Sequence, residues 1–328
     1  MILSLSVLSL LGSLVYLVNN RVKASAAKFL YPKRRLAKAS PADYGHAFET
    51  VTFCSADGLK LGGWYLPAST EGKATIVFVH GLKGNRASLL KLALKLVEQG
   101  YGALLFDLRN HGASEGNITT MAAQEVFDIE GALDFLKARA GLDASQIGII
   151  GHSLGAATAL RVAANHRFKF VVAHAAFADL CDSMHQAARS LTGLRADHPL
   201  VKAVLYPFVC LMIRHAQQQV GQRAKTISPR QDLTLMQSIP CLFVHGLKDT
   251  TIAASNSRVL FDVASGEKEL LLLDNAGHAV EALLELSQFA VLDFVSKHGQ
   301  LDHPDKNSRA LKPYDMPVSL TSAGVYLM

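Results

Sequence analysis

Residues 147–155 read Ile-Gly-Ile-Ile-Gly-His-Ser-Leu-Gly. A short apolar run ends in Gly151-His152-Ser153-Leu154-Gly155, a Gly-x-Ser-x-Gly pattern followed at once by a helix-forming stretch. That order constrains the chain strongly. It predicts a buried strand, a sharp turn that thrusts Ser153 out at the sheet edge, and a helix packed back on the strand. Small residues two before and two after the serine let the neighbouring backbone approach that closely.

The rest of the chain has the matching rhythm. Residues 51–66 predict an antiparallel hairpin around Asp57-Gly58, at the edge of a sheet. Apolar runs at Ala74–Val79, Gly102–Asp107, Ile147–Ile150, Phe170–Ala173, Cys241–Val244 and Glu269–Leu273 predict buried strands. Between them, helices are expected at Arg86–Gln99 (Asn85 as N-cap, Gly100 as stop), 123–139, Leu154–Asn165 and 279–297. In 123–139, Val126, Ile129, Leu133 and Leu136 form one stripe. Strands alternating with helices give an α/β fold, a doubly wound and mainly parallel sheet. Residues 178–236 contain no convincing strand and predict a helical insertion between two core strands. Residues 300–328, with Pro304, Pro313 and Pro317, predict a loosely packed tail.

Met1 to Val18 carries no charged side chain. As a helix it spans about 27 Å, just enough for the hydrocarbon layer of a membrane. No basic residue precedes this core, and Arg21, Lys23, Lys28, Lys33, Arg34, Arg35 and Lys38 follow it before the first acid, Asp43. The order favours an uncleaved single-pass anchor (1–18), a basic juxtamembrane linker (19–48) and a folded domain (49–299) held on the cytoplasmic side. The seven cations would keep residues 1–38 at an anionic membrane surface. Ala24-Ser25-Ala26 leaves a cleaved secretion signal as the alternative.

The chain has 33 basic and 27 acidic residues, a net charge of +6. Setting those seven cations aside leaves the two signs almost equal in number, so nucleic acid is not an expected partner. Half the residues are hydrophobic, enough for a large core without disulfides or metal. Cys54, Cys181, Cys210 and Cys241 are widely scattered with no C-x-x-C pair. The expectation is buried free thiols and no metal or other cofactor.

A serine hydroxyl needs a base to take its proton as it attacks, and the base needs an acid to hold its tautomer. Two candidates follow Ser153 at strand ends: Asp249, in Val244-His245-Gly246-Leu247-Lys248-Asp249, and His278, in Asp274-Asn275-Ala276-Gly277-His278. Asp179, at the end of the preceding core strand, is the rival acid. For the oxyanion the expected donors are the backbone N–H groups of Leu154 and of Leu82, in the loop His80-Gly81-Leu82-Lys83-Gly84-Asn85. His80, His111, His152 and His245 are expected to bond backbone in tight turns, and Asp107 with Arg109 to form a loop-bracing ion pair. Ala203–Ile213 lacks charge and reads as a cap helix, kinked at Pro207 or walling an acyl pocket.

Four pieces then carry a resemblance: His80-Gly81 after a strand, Asp107-Leu108-Arg109-Asn110-His111-Gly112-Ala113-Ser114, Gly151 to Gly155, and Gly246-Leu247-Lys248-Asp249 followed by Gly277-His278. In that order the chain resembles the alpha/beta hydrolases, of the group similar to serine aminopeptidases and monoacylglycerol-type lipases, over residues 50–298. The resemblance implies Ser153, Asp249 and His278 as the catalytic triad, Leu82 and Leu154 as the oxyanion hole, and residues 178–236 as the cap. The expected function is serine-dependent cleavage of a carboxylic ester of a small molecule or lipid. The same triad serves a peptidase or thioesterase, and an inactive binding protein of the same fold is the non-enzymatic alternative.

Overall fold

The computed structural model describes residues 2–192, 198–199 and 201–301, with backbone alone for 2–11, 187–192 and 201–202. From residue 302 on, the expected tail lies outside the described residues. The chain opens with helix α1 (Ile2–Leu30), then forms the hairpin β1 (Glu49–Cys54) and β2 (Lys60–Leu66). Next come β3 (Thr75–Val79), α2 (Leu90–Val97), β4 (Gly102–Phe106), α3 (Glu125–Ala140) and β5 (Ile147–His152). α4 (Leu154–Ala163) and β6 (Phe170–His174) lead to an insertion of α5 (Leu180–Thr192), α6 (Tyr206–Val220) and α7 (Pro229–Leu235). The domain closes with β7 (Cys241–Gly246), α8 (Ser255–Val263), β8 (Lys268–Leu273) and α9 (Val280–His298).

The strands form one eight-stranded sheet in the order β1-β2-β4-β3-β5-β6-β7-β8. β1 and β2 pair antiparallel at one edge, β2 pairs antiparallel with β4, and every other pair is parallel. Side chains alternate across it. Val77, Val79, Ile147 and Ile149 join a core with α1, α3, α4 and the insertion, whereas Ile76, Phe78, Ile150 and Val172 join a second core with α2 and α9. The chain steps from β3 outward to β4, then returns to the other side of β3 for β5. Order therefore reverses between β3 and β5, and the crevice beyond their C-terminal ends is where ligands bind in such sheets. The described residues between β6 and β7 are helical or looped and add no strand to the sheet, and residues 49–54 extend the hairpin's first strand by two residues.

Three expectations change. α1 runs unbroken from Ile2 to Leu30, so residues 19–30 are helix rather than linker. Its second half is core: Val22, Ala26 and Leu30 are buried in a cluster with Val209, Met212 and Ile213 of α6. Its outer part is bare, with Leu14 57% and Tyr16 66% exposed. Among the described residues no helix is long and apolar enough to cross a membrane. Second, the chain around Pro207 is not one even α-helix: a π-helical turn (Val201–Leu205) runs directly into α6, in whose first turn Pro207 lies. Third, the cysteines are free, yet only Cys241 is buried, and burial pushes its thiol up to about 12.

The basic stretch after α1 is also fixed to the domain. Arg34 donates to the carbonyls of Ser114, at 2.6 Å, and Gly116. Thr119 N–H donates to the carbonyl of Leu30, and Asn85 Nδ2 to that of Arg35 at 3.1 Å. These bonds tie residues 30–35 to the loops that follow β3 and β4.

Candidate active site

Ser153 stands between β5 and α4 with φ 52° and ψ −115°, a conformation an L-residue adopts only where its surroundings enforce it. Two close approaches enforce it here. A β-carbon at Gly151 would sit 2.6 Å from the Ala156 backbone, and one at Gly155 would sit 2.2 Å from the Val79 carbonyl oxygen. With glycine at both places α4 packs directly on β5 and β3, and the turn between them has no room to relax. Ser153 N–H also donates to the carbonyl of His174 at 2.8 Å, which pins the turn to β6.

The sheet gathers the distant partners on one edge. Ser153 Oγ lies 2.9 Å from His278 Nε2, and His278 Nδ1 lies 2.6 Å from Asp249 Oδ2. A carboxylate can only accept, so Nδ1 carries the hydrogen and Nε2 is free to accept from the serine hydroxyl. That is the tautomer nucleophilic attack requires. Asp249 Oδ1 accepts from the N–H groups of Thr251 and Ile252, both at 2.8 Å. Burial pushes the Asp249 carboxyl up, but hydrogen bonds from His245 and His278 outweigh it and hold it well below the usual carboxylate range. Asp179, the rival acid, is engaged elsewhere: it accepts from Ser228 Oγ at 2.5 Å and pairs with Arg230 at 3.1 Å.

Leu82 lies beside the serine turn. A β-carbon at Gly81 would sit 3.2 Å from Ser153 Cβ, so the loop after β3 touches the turn after β5. Leu154 opens α4, where N–H groups have no partner within the helix. Among the described residues neither Leu82 N–H nor Leu154 N–H is used in the hydrogen bonds that fold the two loops. Two neutral imidazoles set the Leu82 loop. His80 Nδ1 donates to the Gly81 carbonyl at 2.8 Å while its Nε2 accepts from Leu108 N–H at 3.0 Å. His111 Nδ1 donates to the Arg109 carbonyl at 2.9 Å and its Nε2 accepts from Lys83 N–H at 3.1 Å. Burial, with His111 beside it, pulls His80 down to about 4, and burial also lowers His111.

The other expected structural groups fare differently. His152 does not bond backbone: its Nδ1 has no partner among the described residues, and its ring centre lies 5.3 Å from that of His278. Burial first, then His278 and His174, hold His152 well below an ordinary histidine, so it is a neutral wall. Asp107 and Arg109 do not pair with each other. Asp107 Oδ2 accepts from Arg86 Nη2 and Nε at 2.7 and 2.9 Å, and Arg109 bridges Asp128 at 2.7 Å and Asp57 at 2.8 Å. The chain turns over residues 108–111 as it leaves β4, and the partners come from elsewhere: Arg86 from the segment after β3, Asp57 from the hairpin turn and Asp128 from the first turn of α3. Nothing in the spacing of Arg86, Asp57 or Asp128 announces these pairs. No group of three or more metal-ligating side chains is arranged to hold an ion among the described residues.

Comparisons with known proteins bear on the fold. Residues 74–201 match the family model for the alpha/beta hydrolase fold. The chain is 30% identical over 229 residues to the uncharacterized protein YqkD of Bacillus subtilis (strain 168), covering 69% of this chain and 71% of that one. Among solved structures it is similar in fold to the Pyrococcus furiosus esterase Pf2001 (TM-score 0.66, 22% identity, 83% of this chain and 99% of that one). It is likewise similar to an acetyl xylan esterase from Paenibacillus sp. R4 (TM-score 0.60, 23% identity, 86% and 93%). The sheet, its switch point and these likenesses lead to one conclusion: the chain belongs to the alpha/beta hydrolase family.

Proposed function

We propose that the protein is a serine hydrolase that cleaves carboxylic esters of lipid-like or otherwise acylated substrates. The observation that carries this reading is the continuous chain Ser153 Oγ–His278 Nε2 (2.9 Å) and His278 Nδ1–Asp249 Oδ2 (2.6 Å). Ser153 Oγ attacks the ester carbonyl as His278 takes its proton. The N–H groups of Leu82 and Leu154 hold the resulting oxyanion, each worth roughly 3 kcal/mol to the transition state. His278 returns the proton to the leaving alcohol, which departs and leaves Ser153 acylated. Water, deprotonated by His278, then frees the acid and regenerates the hydroxyl. Asp249 stays ionised throughout and stabilises the imidazolium that forms twice in the cycle.

The apolar character of the insertion supports an acyl substrate, although the cleft it forms with α1 does not include Ser153, Asp249 or His278 in its lining. That cleft, between α1, α5 and α6, is lined by Phe29, Met121, Met184, Met212, Ile213 and Val220. The esterase names of the two structural neighbours point to the same bond type. Residues 1–18 are proposed to hold the chain at a membrane surface, with the domain on the cytoplasmic side; their lack of charge and the bare apolar side chains of Leu14, Tyr16 and Leu17 support this. A reporter fused after residue 328 should be active in the cytoplasm, and activity only on the far side of the membrane contradicts the orientation.

The test of the hydrolase reading is turnover of p-nitrophenyl esters of increasing acyl length by the full chain and by Ser153→Ala. The expected result is turnover that rises with chain length and falls by on the order of 10⁴-fold or more in the variant. Equal turnover of short and long esters removes the lipid part of the proposal. Turnover unchanged by Ser153→Ala removes the whole.

A further inference from the structure

Behind Asp249 lies a second buried histidine that the mechanism above does not use. His245, the penultimate residue of β7, is fully buried, as is Ser257 in the first turn of α8. His245 Nε2 lies 2.8 Å from the Ile252 carbonyl oxygen and 3.3 Å from Asp249 Oδ2. Both are acceptors, so Nε2 carries a hydrogen shared between them. On the other side of the ring, Nδ1 lies 2.6 Å from Ser257 Oγ. With the hydrogen on Nε2, Nδ1 is the lone pair that accepts the serine hydroxyl proton.

The result is an extended line through the site: Ser153, His278, Asp249, His245, Ser257. Its elements are independent, coming from the turn after β5, the loop after β8, the loop after β7, β7 itself and α8. The Ile252 carbonyl belongs to the same turn whose N–H fixes Asp249 Oδ1. His245 therefore grips this turn at two places, its carbonyl and its carboxylate. A backbone clamp alone would leave Asp249 Oδ2 with a single side-chain donor, His278. Instead the same oxygen has a second imidazole N–H beside it, that of His245 at 3.3 Å, in addition to His278 at 2.6 Å.

Resting on the serine hydrolase reading, we infer that His245 is a positioning residue for the reaction. It holds the Asp249 carboxylate in the orientation that His278 needs and shares its charge, and Ser257 fixes the tautomer that makes this possible. Other titratable groups near the pair are His278 from the loop after β8 and His152 from β5, which feels both Asp249 and His245. Of these two, only His278 donates to Asp249 Oδ2.

The test compares the full chain with His245→Leu, His245→Gln and Ser257→Ala. The readouts are the pH dependence of ester kcat and of the rate of inactivation by a fluorophosphonate. Leucine fills the space without a donor; the amide nitrogen of glutamine reaches the position of Nε2. His245→Leu is expected to lower kcat by about 10-fold or more with little change in KM. Its acid limb should move up by about half a unit, because the unshared carboxylate charge holds the His278 proton more tightly. His245→Gln should recover most of both effects. A leucine variant with the parent's rate and acid limb overturns the inference, and so does equal loss in the leucine and glutamine variants, which would mean packing alone. Should His245→Leu fail to fold, Ser257→Ala decides: the low-field proton resonance of the His278–Asp249 hydrogen bond should shift, and an unmoved resonance with an unmoved acid limb overturns the inference. If the parent chain itself is not inactivated, the serine hydrolase reading fails rather than this one.

Discussion

At Ser153 the backbone holds a φ of 52°, and the positions that impose it are the glycines two residues to either side. The strain, about 1–3 kcal/mol for a side-chain-bearing residue, is offset by the packing of α4 on β5 and β3. The chemistry then depends on one hydrogen, the one on His278 Nδ1. Asp249→Asn leaves the shape intact but offers His278 an N–H as well as a carbonyl, so the imidazole can settle with the hydrogen on Nε2, where it cannot accept from serine. Steady-state ester kinetics should show kcat down by on the order of 10³–10⁴-fold with KM little changed. These three residues were legible before the fold because each carries chemistry, and their chain order matches a known arrangement. His245 was legible only as a turn histidine. Its contact with Asp249 follows from a reverse turn at 249–252 that no periodicity encodes.

Among the elements, the contact between α4 and β3 matters most, since it brings the Leu154 N–H beside the Leu82 loop. Gly155→Val places side-chain atoms where the Val79 and His80 carbonyls lie, at 2.2 and 2.6 Å from the first added carbon. The variant should lose roughly 1–3 kcal/mol of stability in urea unfolding. It should also lose kcat in the surviving folded fraction, because the helix start moves away from the loop. The loop after β4 depends on charge instead. Arg109→Met leaves the fully buried Asp128 carboxylate without its cation and should cost roughly 3–5 kcal/mol by the same measurement. Strand and helix positions were readable from apolar runs and end signals, since burial on a parallel sheet dictates both. The partners of Asp107 and Arg109 were not, because closeness in sequence says nothing about which segments meet at a strand end.

For the whole molecule, buried neutral histidines set the response to acid. Burial pulls His80 and His174 down to about 4, and His111 and His152 also lie below the ordinary value. Each is proton-free in the fold but binds a proton near pH 6.5 once unfolded. Their stabilisation is therefore complete above about pH 6.5 and is lost as pH falls toward about 4, by a few kcal/mol in all. Asp249, held below the usual carboxylate range, contributes stability above about pH 4 that is lost at still lower pH. Thermal unfolding should show Tm falling steeply between about pH 6.5 and pH 4, with a shallower slope in His174→Gln. At this scale the N-terminal segment was the least legible part. Its charge pattern spoke of a membrane, and the docking of Val22, Ala26 and Leu30 on α6 depends on a partner face formed nearly two hundred residues later. The central claim, that Ser153 is a nucleophile activated by His278, is tested most directly by mapping the site of fluorophosphonate attachment. Peptide mass spectrometry of the full chain should find one adduct, on Ser153, and none after Ser153→Ala or His278→Ala. An unmodified Ser153 in the folded parent chain, or an adduct that persists in Ser153→Ala, contradicts it.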